Sequence, residues 1–135
     1  MPVTPTYLLD SSACIPILRN KAGLGTLPAP AKTGIPMIVA AELWTGVKKN
    51  MATHPQQAAK LQAFLDMFSI PVFDMEAALH YAEIRAELEA AGKVIGPLDL
   101  LIAAQARSLK ATLVTSNAGE FNRIKGLKVQ EWNPA

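Results

Sequence analysis

The feature that most constrains this chain is an alternation. Short apolar runs are separated by longer segments whose apolar residues recur at helical spacing. Tyr7-Leu8-Leu9, Met37-Ile38-Val39, Pro71-Val72-Phe73 and Thr112 to Thr115 each read as a strand, and Lys128 to Gln130 reads as an edge strand. Between them, helices are predicted over 40–49, over 55–68 on the stripe Leu61, Phe64, Leu65 and Phe68, over 74–91, and over 97–110. Asp74 supplies an N-cap and Gly92 a stop for the third of these, and Gly96-Pro97 opens the fourth. Gly23, Gly25, Pro28, Pro30, Gly34 and Pro36 make 22–36 a loop holding at most one broken helix. Strands separated by helices imply an α/β fold in three layers, α/β/α, around a mainly parallel central sheet.

The chain of 135 residues suits a single domain over 1–135 with one core. Half the residues are hydrophobic and 18% are charged, which argues against general disorder. The longest uncharged apolar stretch, Ile35 to Ala41, is too short to cross a bilayer. Met1 to Tyr7 has neither the basic start nor the apolar run of a signal peptide. Cys14 is the single cysteine and lies in the apolar run Ala13 to Leu18, where it reads as a small buried hydrophobe. These features fit a cytoplasmic protein that makes no membrane contact.

In parallel sheets, ligands gather outside the carboxyl ends of the strands, so the positions of the acids are informative. Asp10 directly follows the first strand. Glu42 lies three residues after Val39 and is expected in the first turn of the helix beyond strand two. Asp99 follows Gly96-Pro97, and Asn117 and Glu120 occupy a turn, 116–119 and onward, just after the fourth strand. Taken singly, each acid is explained as well by turn formation, capping or the helix dipole. Glu42 and Asp99, however, are flanked by apolar residues, and acids in such settings are seldom buried without a partner. Carboxylates that converge repel one another unless a cation stands between them, and an all-oxygen donor set suits Mg²⁺ or Mn²⁺. The net charge is +2, from 13 basic and 11 acidic residues. Setting four clustered acids aside leaves seven against 13 bases, a basic remainder that suits a polyanion.

Four segments carry a family resemblance: Tyr7 to Ser12, Ala41 to Gly46, Gly92 to Ala104, and Leu113 to Asn117 continuing through Glu120-Phe121. In order and spacing they resemble the motifs of the PIN domain family, in the form found in VapC toxins of bacterial toxin–antitoxin pairs. The tail Ile124 to Trp132 resembles that group's C-terminal end, so the resemblance spans the chain. It implies a Mg²⁺- or Mn²⁺-dependent endoribonuclease that hydrolyses RNA, a VapB-like antitoxin as partner, and a homodimer. Asp10, Glu42 and Asp99 match the three principal acids. Many members carry Asp where this chain has Asn117, which leaves Asn117 or Glu120 to fill the fourth position, or a site of three acids.

Other residues are weighed against that site. Ser11 and Ser12 are placed to bond Asp10 or a phosphate, or to cap the helix that follows. Lys48, Lys49 and Arg123, with Lys125 and Lys128, are candidate phosphate contacts, or simply a solvated face. Trp44 reads as core or dimer packing, and His54 and His80 as solvent-facing. The alternative to the nuclease is a PIN-like module that binds nucleic acid and cleaves weakly or not at all. A phosphatase using Asp10 as nucleophile leaves the Glu42 and Asp99 motifs unexplained.

Overall fold

The computed structural model describes residues 4–134. Strand β1, Tyr7–Leu9, is central to the sheet, and its Leu8 and Leu9 are fully buried. It is flanked by β2, Thr33–Gly34, and by β3, Thr112–Thr115; β4, Lys128–Glu131, lies beyond β3 at the edge. All pairings are parallel, in the order β2-β1-β3-β4, with Leu9 opposite Val114 and Thr115 opposite Glu131. A parallel strand buried on both faces needs an apolar run with no alternation, which is what Leu8-Leu9 and Leu113-Val114 provide.

The helices are α1 Ser11–Leu18, α2 Met37–Lys49, α3 Gln57–Leu65, α4 Met75–Ala91, α5 Pro97–Leu109 and α6 Ala118–Phe121. In α3 and just beyond it, the expected stripe of Leu61, Phe64, Leu65 and Phe68 is buried, with the two phenyl rings 5.0 Å apart. Asp74 caps α4 by accepting from the Ala77 amide at 3.0 Å, and Gly92 ends it in the left-handed region, φ +68°. Pro97 opens α5 at a position where no amide donor is needed. No helix among the described residues is long and apolar enough to cross a membrane.

Two expected strands are absent. Met37-Ile38-Val39 is the first turn of α2, not a strand. A short apolar run fits either state; here Val39, Ala40, Leu43 and Val47 continue it at helical spacing and are all buried. The strand falls earlier, at Thr33–Gly34, within the segment read as loop. Pro71-Val72-Phe73 forms no strand either: Val72 is exposed, and the Pro71 carbonyl accepts from the Gln105 side chain at 2.9 Å instead of from a ladder. Only an isolated bridge joins Ser69 to Gly34 nearby. The expected turn at 116–119 tightens into the one-turn helix α6, whereas the edge strand at 128–130 is present as β4.

Gly34 allows β2 to lie against the sheet. A Cβ there would meet Leu8 Cδ2 at 3.0 Å, Ser69 Oγ at 3.1 Å and Pro5 Cγ at 3.2 Å. Gly46, in the middle of α2, has no such neighbour within 4 Å. Gly34→Ala is therefore expected to destabilise the fold by about 1–3 kcal/mol through overpacking, and Gly46→Ala to stabilise it by about 0.5–1 kcal/mol through helix propensity. Urea denaturation of the two variants checks this opposition, and shifts of the same sign would contradict it.

Candidate metal centre

The carboxyl ends of β1 and β3 are adjacent, and the site grows from them. Asp10 follows β1 and is buried, 4% exposed. Its Oδ1 accepts from the Ala13 amide at 3.2 Å, so Asp10 itself caps α1; that role was open to Ser11 and Ser12 on sequence. The same oxygen accepts from Ser12 Oγ at 2.6 Å. Asp10 Oδ2 accepts from Thr115 Oγ1 at 2.5 Å, across the β1–β3 pairing. Thr115 Oγ1 in turn accepts from the Asn117 amide, and Ser12 Oγ from the Ser116 amide, both at 2.9 Å. The loop after β3 is thus bound to the loop after β1 through two hydroxyls that also hold the acid.

Glu42 is the sixth residue of α2, not in its first turn as expected, because the helix starts earlier than the sequence suggested. Its Oε1 is buried and has no hydrogen-bond partner. Burial, then the charges of Asp99 and Asp10, push its pKa above the ordinary carboxylate range. Asp99 lies in the first turn of α5, where the helix dipole favours an anion. Burial, then Glu120 and Asp10, nonetheless raise its pKa. Glu120, in α6, is held by Asn117, whose Nδ2 donates to Oε2 at 2.7 Å. Asp10, Glu42, Asp99 and Glu120 therefore share one electrostatic neighbourhood built from β1, α2, α5 and α6.

Among the described residues no three His, Cys, Asp or Glu side chains close into a compact ligand set. The donors nonetheless fit a hard divalent cation: all are oxygens, two have pKa values raised by burial and then by neighbouring carboxylates, and one buried oxygen lacks any partner. An orphaned buried carboxylate oxygen is costly in the fold, and a cation compensates it directly.

Ser11 and Glu42 also line a cleft of about 290 Å³ whose walls include Ile15, Leu43, Val47 and Leu61. Lys48, Lys49 and Arg123 are exposed, the first two at the end of α2 and the third after α6. Trp44 is half-buried against the core. His54 is exposed, but His80 is not free in solvent: half-buried, it accepts at Nδ1 from Arg107 Nε at 2.9 Å. Thr115, fully buried at the end of β3, escaped sequence reading because a β-branched residue there looks like ordinary strand.

Residues 7–127 match the PIN domain family. The chain is 37% identical over 132 residues to Ribonuclease VapC2 of Rickettsia felis, covering 94% of this chain and 98% of that one. It is 32% identical to the tRNA(fMet)-specific endonuclease VapC of Salmonella typhimurium, covering 93% and 97%. In three dimensions it resembles a chain of VapBC2 from Rickettsia felis bound to a DNA fragment from its promoter, with a TM-score of 0.86 at 37% identity over 94% of this chain and 98% of that one.

Glu42 and Asp99 hold their protons more tightly folded than unfolded. As pH rises from the ordinary carboxylate range through their raised values, the folded state has more protons to lose, so the metal-free protein loses stability across that window. With EDTA present, melting temperature is expected to fall with rising pH more steeply in wild type than in Glu42→Gln, and the variant should be the more stable at pH above the window. Parallel melting curves for the two proteins would contradict the shared-charge account.

Proposed function

The chain belongs to the PIN domain family, and we propose that it is a VapC-type endoribonuclease, the toxin of a toxin–antitoxin pair, which hydrolyses RNA with Mg²⁺ or Mn²⁺ held by Asp10, Glu42 and Asp99. The observation that carries this reading is the buried, partnerless Glu42 oxygen facing the charges of Asp99 and Asp10. A bound divalent cation would supply an activated water and neutralise charge on the phosphoryl oxygens.

The chain's own residues divide the remaining work. Asp10 is fixed by Ser12 and Thr115, so its position is set before any ligand arrives. Asp99 and Glu42 approach from α5 and α2 on rigid helices, and Glu42 is placed either to ligate or to orient the attacking water. Glu120 fills the fourth position as the carboxylate, and Asn117 orients it; this accounts for an amide where many relatives carry an acid. Hydrolysis by water leaves 5′-phosphate and 3′-hydroxyl ends. Neither histidine is given a role: His80 is engaged by Arg107, and His54 lies on the α2–α3 connection and meets Thr53.

The partner reading rests on the relatives solved as VapBC assemblies. The cleft beside Glu42, apolar along Ile15, Leu43 and Leu61, suits an antitoxin segment that carries a basic side chain toward the acids. Val72, Met75 and Leu79 are exposed at the start of α4 and offer apolar surface for pairing two copies.

Asp99→Asn retains size and removes one ligand charge. RNA cleavage in Mn²⁺ is expected to fall by on the order of 100-fold or more, growth toxicity to disappear, and the circular dichroism spectrum to stay unchanged. Full cleavage by this variant would overturn the assignment.

A further inference from the structure

A second groove, of about 550 Å³, lies between the C-terminal half of α4 and the connection from α6 to β4. Its floor is apolar: Ile84, Leu88 and Ile124 are buried there. Its rim is basic, with Lys93, Arg123 and Lys125 exposed around it and Glu87 the only acid lining it. The ion pairs among the described residues are Arg85–Glu89 and Arg107–Glu83, so none of the three rim cations is neutralised by a carboxylate. Three uncompensated cations around a small concavity repel one another, which favours an anionic occupant.

The rim is also held in place. The Lys125 carbonyl accepts from Arg107 Nη1 at 3.0 Å, Ile124 is sunk in the core, and Gly126 turns the chain at φ +78°. Arg107 is fixed in turn by His80 and Glu83. The groove is joined by chain to the acidic cluster on both sides. Lys93 lies in the α4–α5 connection that leads to Asp99, and Arg123 follows Glu120 by three residues at the end of α6. Lys93 and Arg123 therefore lie in segments continuous with those that carry Asp99 and Glu120.

We propose that this groove is an RNA-docking subsite, in which Lys93, Arg123 and Lys125 contact three phosphates of a single-stranded segment flanking the cleaved bond, while a sugar or base rests on the apolar floor. The proposal rests on the ribonuclease reading and adds the path of the substrate. Phosphate contacts position a strand without selecting its sequence, so the subsite contributes to affinity and register.

The test measures binding of a single-stranded oligoribonucleotide across a salt series, in an Asp99→Asn background that retains the RNA, with and without K93Q/R123Q/K125Q. Each phosphate contact on a single strand contributes about 0.7 to the slope of log affinity against log salt. The triple variant is expected to lower that slope by about 2, with melting temperature unchanged. In the cleaving protein, the same three substitutions should raise KM for a long RNA more than they lower kcat. An unchanged slope, in a chain whose unsubstituted form binds and cleaves RNA, overturns the groove and leaves the ribonuclease reading standing. An unchanged slope with weakened antitoxin binding overturns it in favour of a protein occupant. Failure of the unsubstituted chain to bind or cleave RNA overturns both readings.

Discussion

Thr115 donates to Asp10 across the paired ends of β1 and β3, and much of the site depends on that bond. It joins the two central strands at their carboxyl ends, where the backbone ladder stops and side chains must take over. The hydroxyl that donates to the acid also accepts from the Asn117 amide, so the loop carrying Glu120 is registered against the strand end carrying Asp10. Ser12 repeats the arrangement from the other side, between Asp10 and the Ser116 amide. Buried polar groups linked in this way are costly to break one at a time, because each break strands another donor or acceptor. Asp10 is thereby a fixed carboxyl group against which the less constrained acids are set.

Those other acids are not compensated in the same manner. Glu42 has a buried oxygen with no donor, and Asp99 gains only the start of α5 against the charges of Glu120 and Asp10. The fold thus satisfies one carboxylate with hydroxyls and amides, and leaves others facing one another. Such an imbalance costs stability unless a cation relieves it, and perturbed carboxylates of this kind cluster at functional sites. The groove lined by Lys93, Arg123 and Lys125 has the opposite sign, a basic rim around an apolar floor. On the proposed reading, a phosphodiester strand would take the basic groove and a divalent cation the acids.

Much of this was legible in the sequence, for physical reasons that differ by element. Asp10, Asp99 and the Asn117–Glu120 turn could be placed because strand ends and helix starts are marked by abrupt changes in apolar pattern and by Pro97 and Gly96. The four family motifs then tied them to one site. Glu42 was displaced by a turn because Met37-Ile38-Val39 fits a strand and a helix equally well, and only packing decided between them. The true β2 is two residues long within a Gly/Pro-rich segment, and its pairing depends on a missing side chain at Gly34, which no periodicity reveals. Thr115 and the Arg107–His80 contact were hidden for a related reason: each is a long-range hydrogen bond between residues that look ordinary in their own segments. The hydrogen bond from Asn117 to Glu120 is hidden as well, since sequence does not show that these two neighbouring side chains meet.

The central claim is that the acidic cluster is incomplete without a divalent cation. Thermal denaturation of the unsubstituted protein, in EDTA and then in Mn²⁺ titrated to saturation, tests it most directly, because a ligand that binds only the folded state stabilises it by mass action. At a hundredfold excess over Kd the account predicts a gain of about 2.7 kcal/mol, seen as a rise in Tm that grows with Mn²⁺ concentration. A Tm that does not move between EDTA and saturating Mn²⁺ would contradict it.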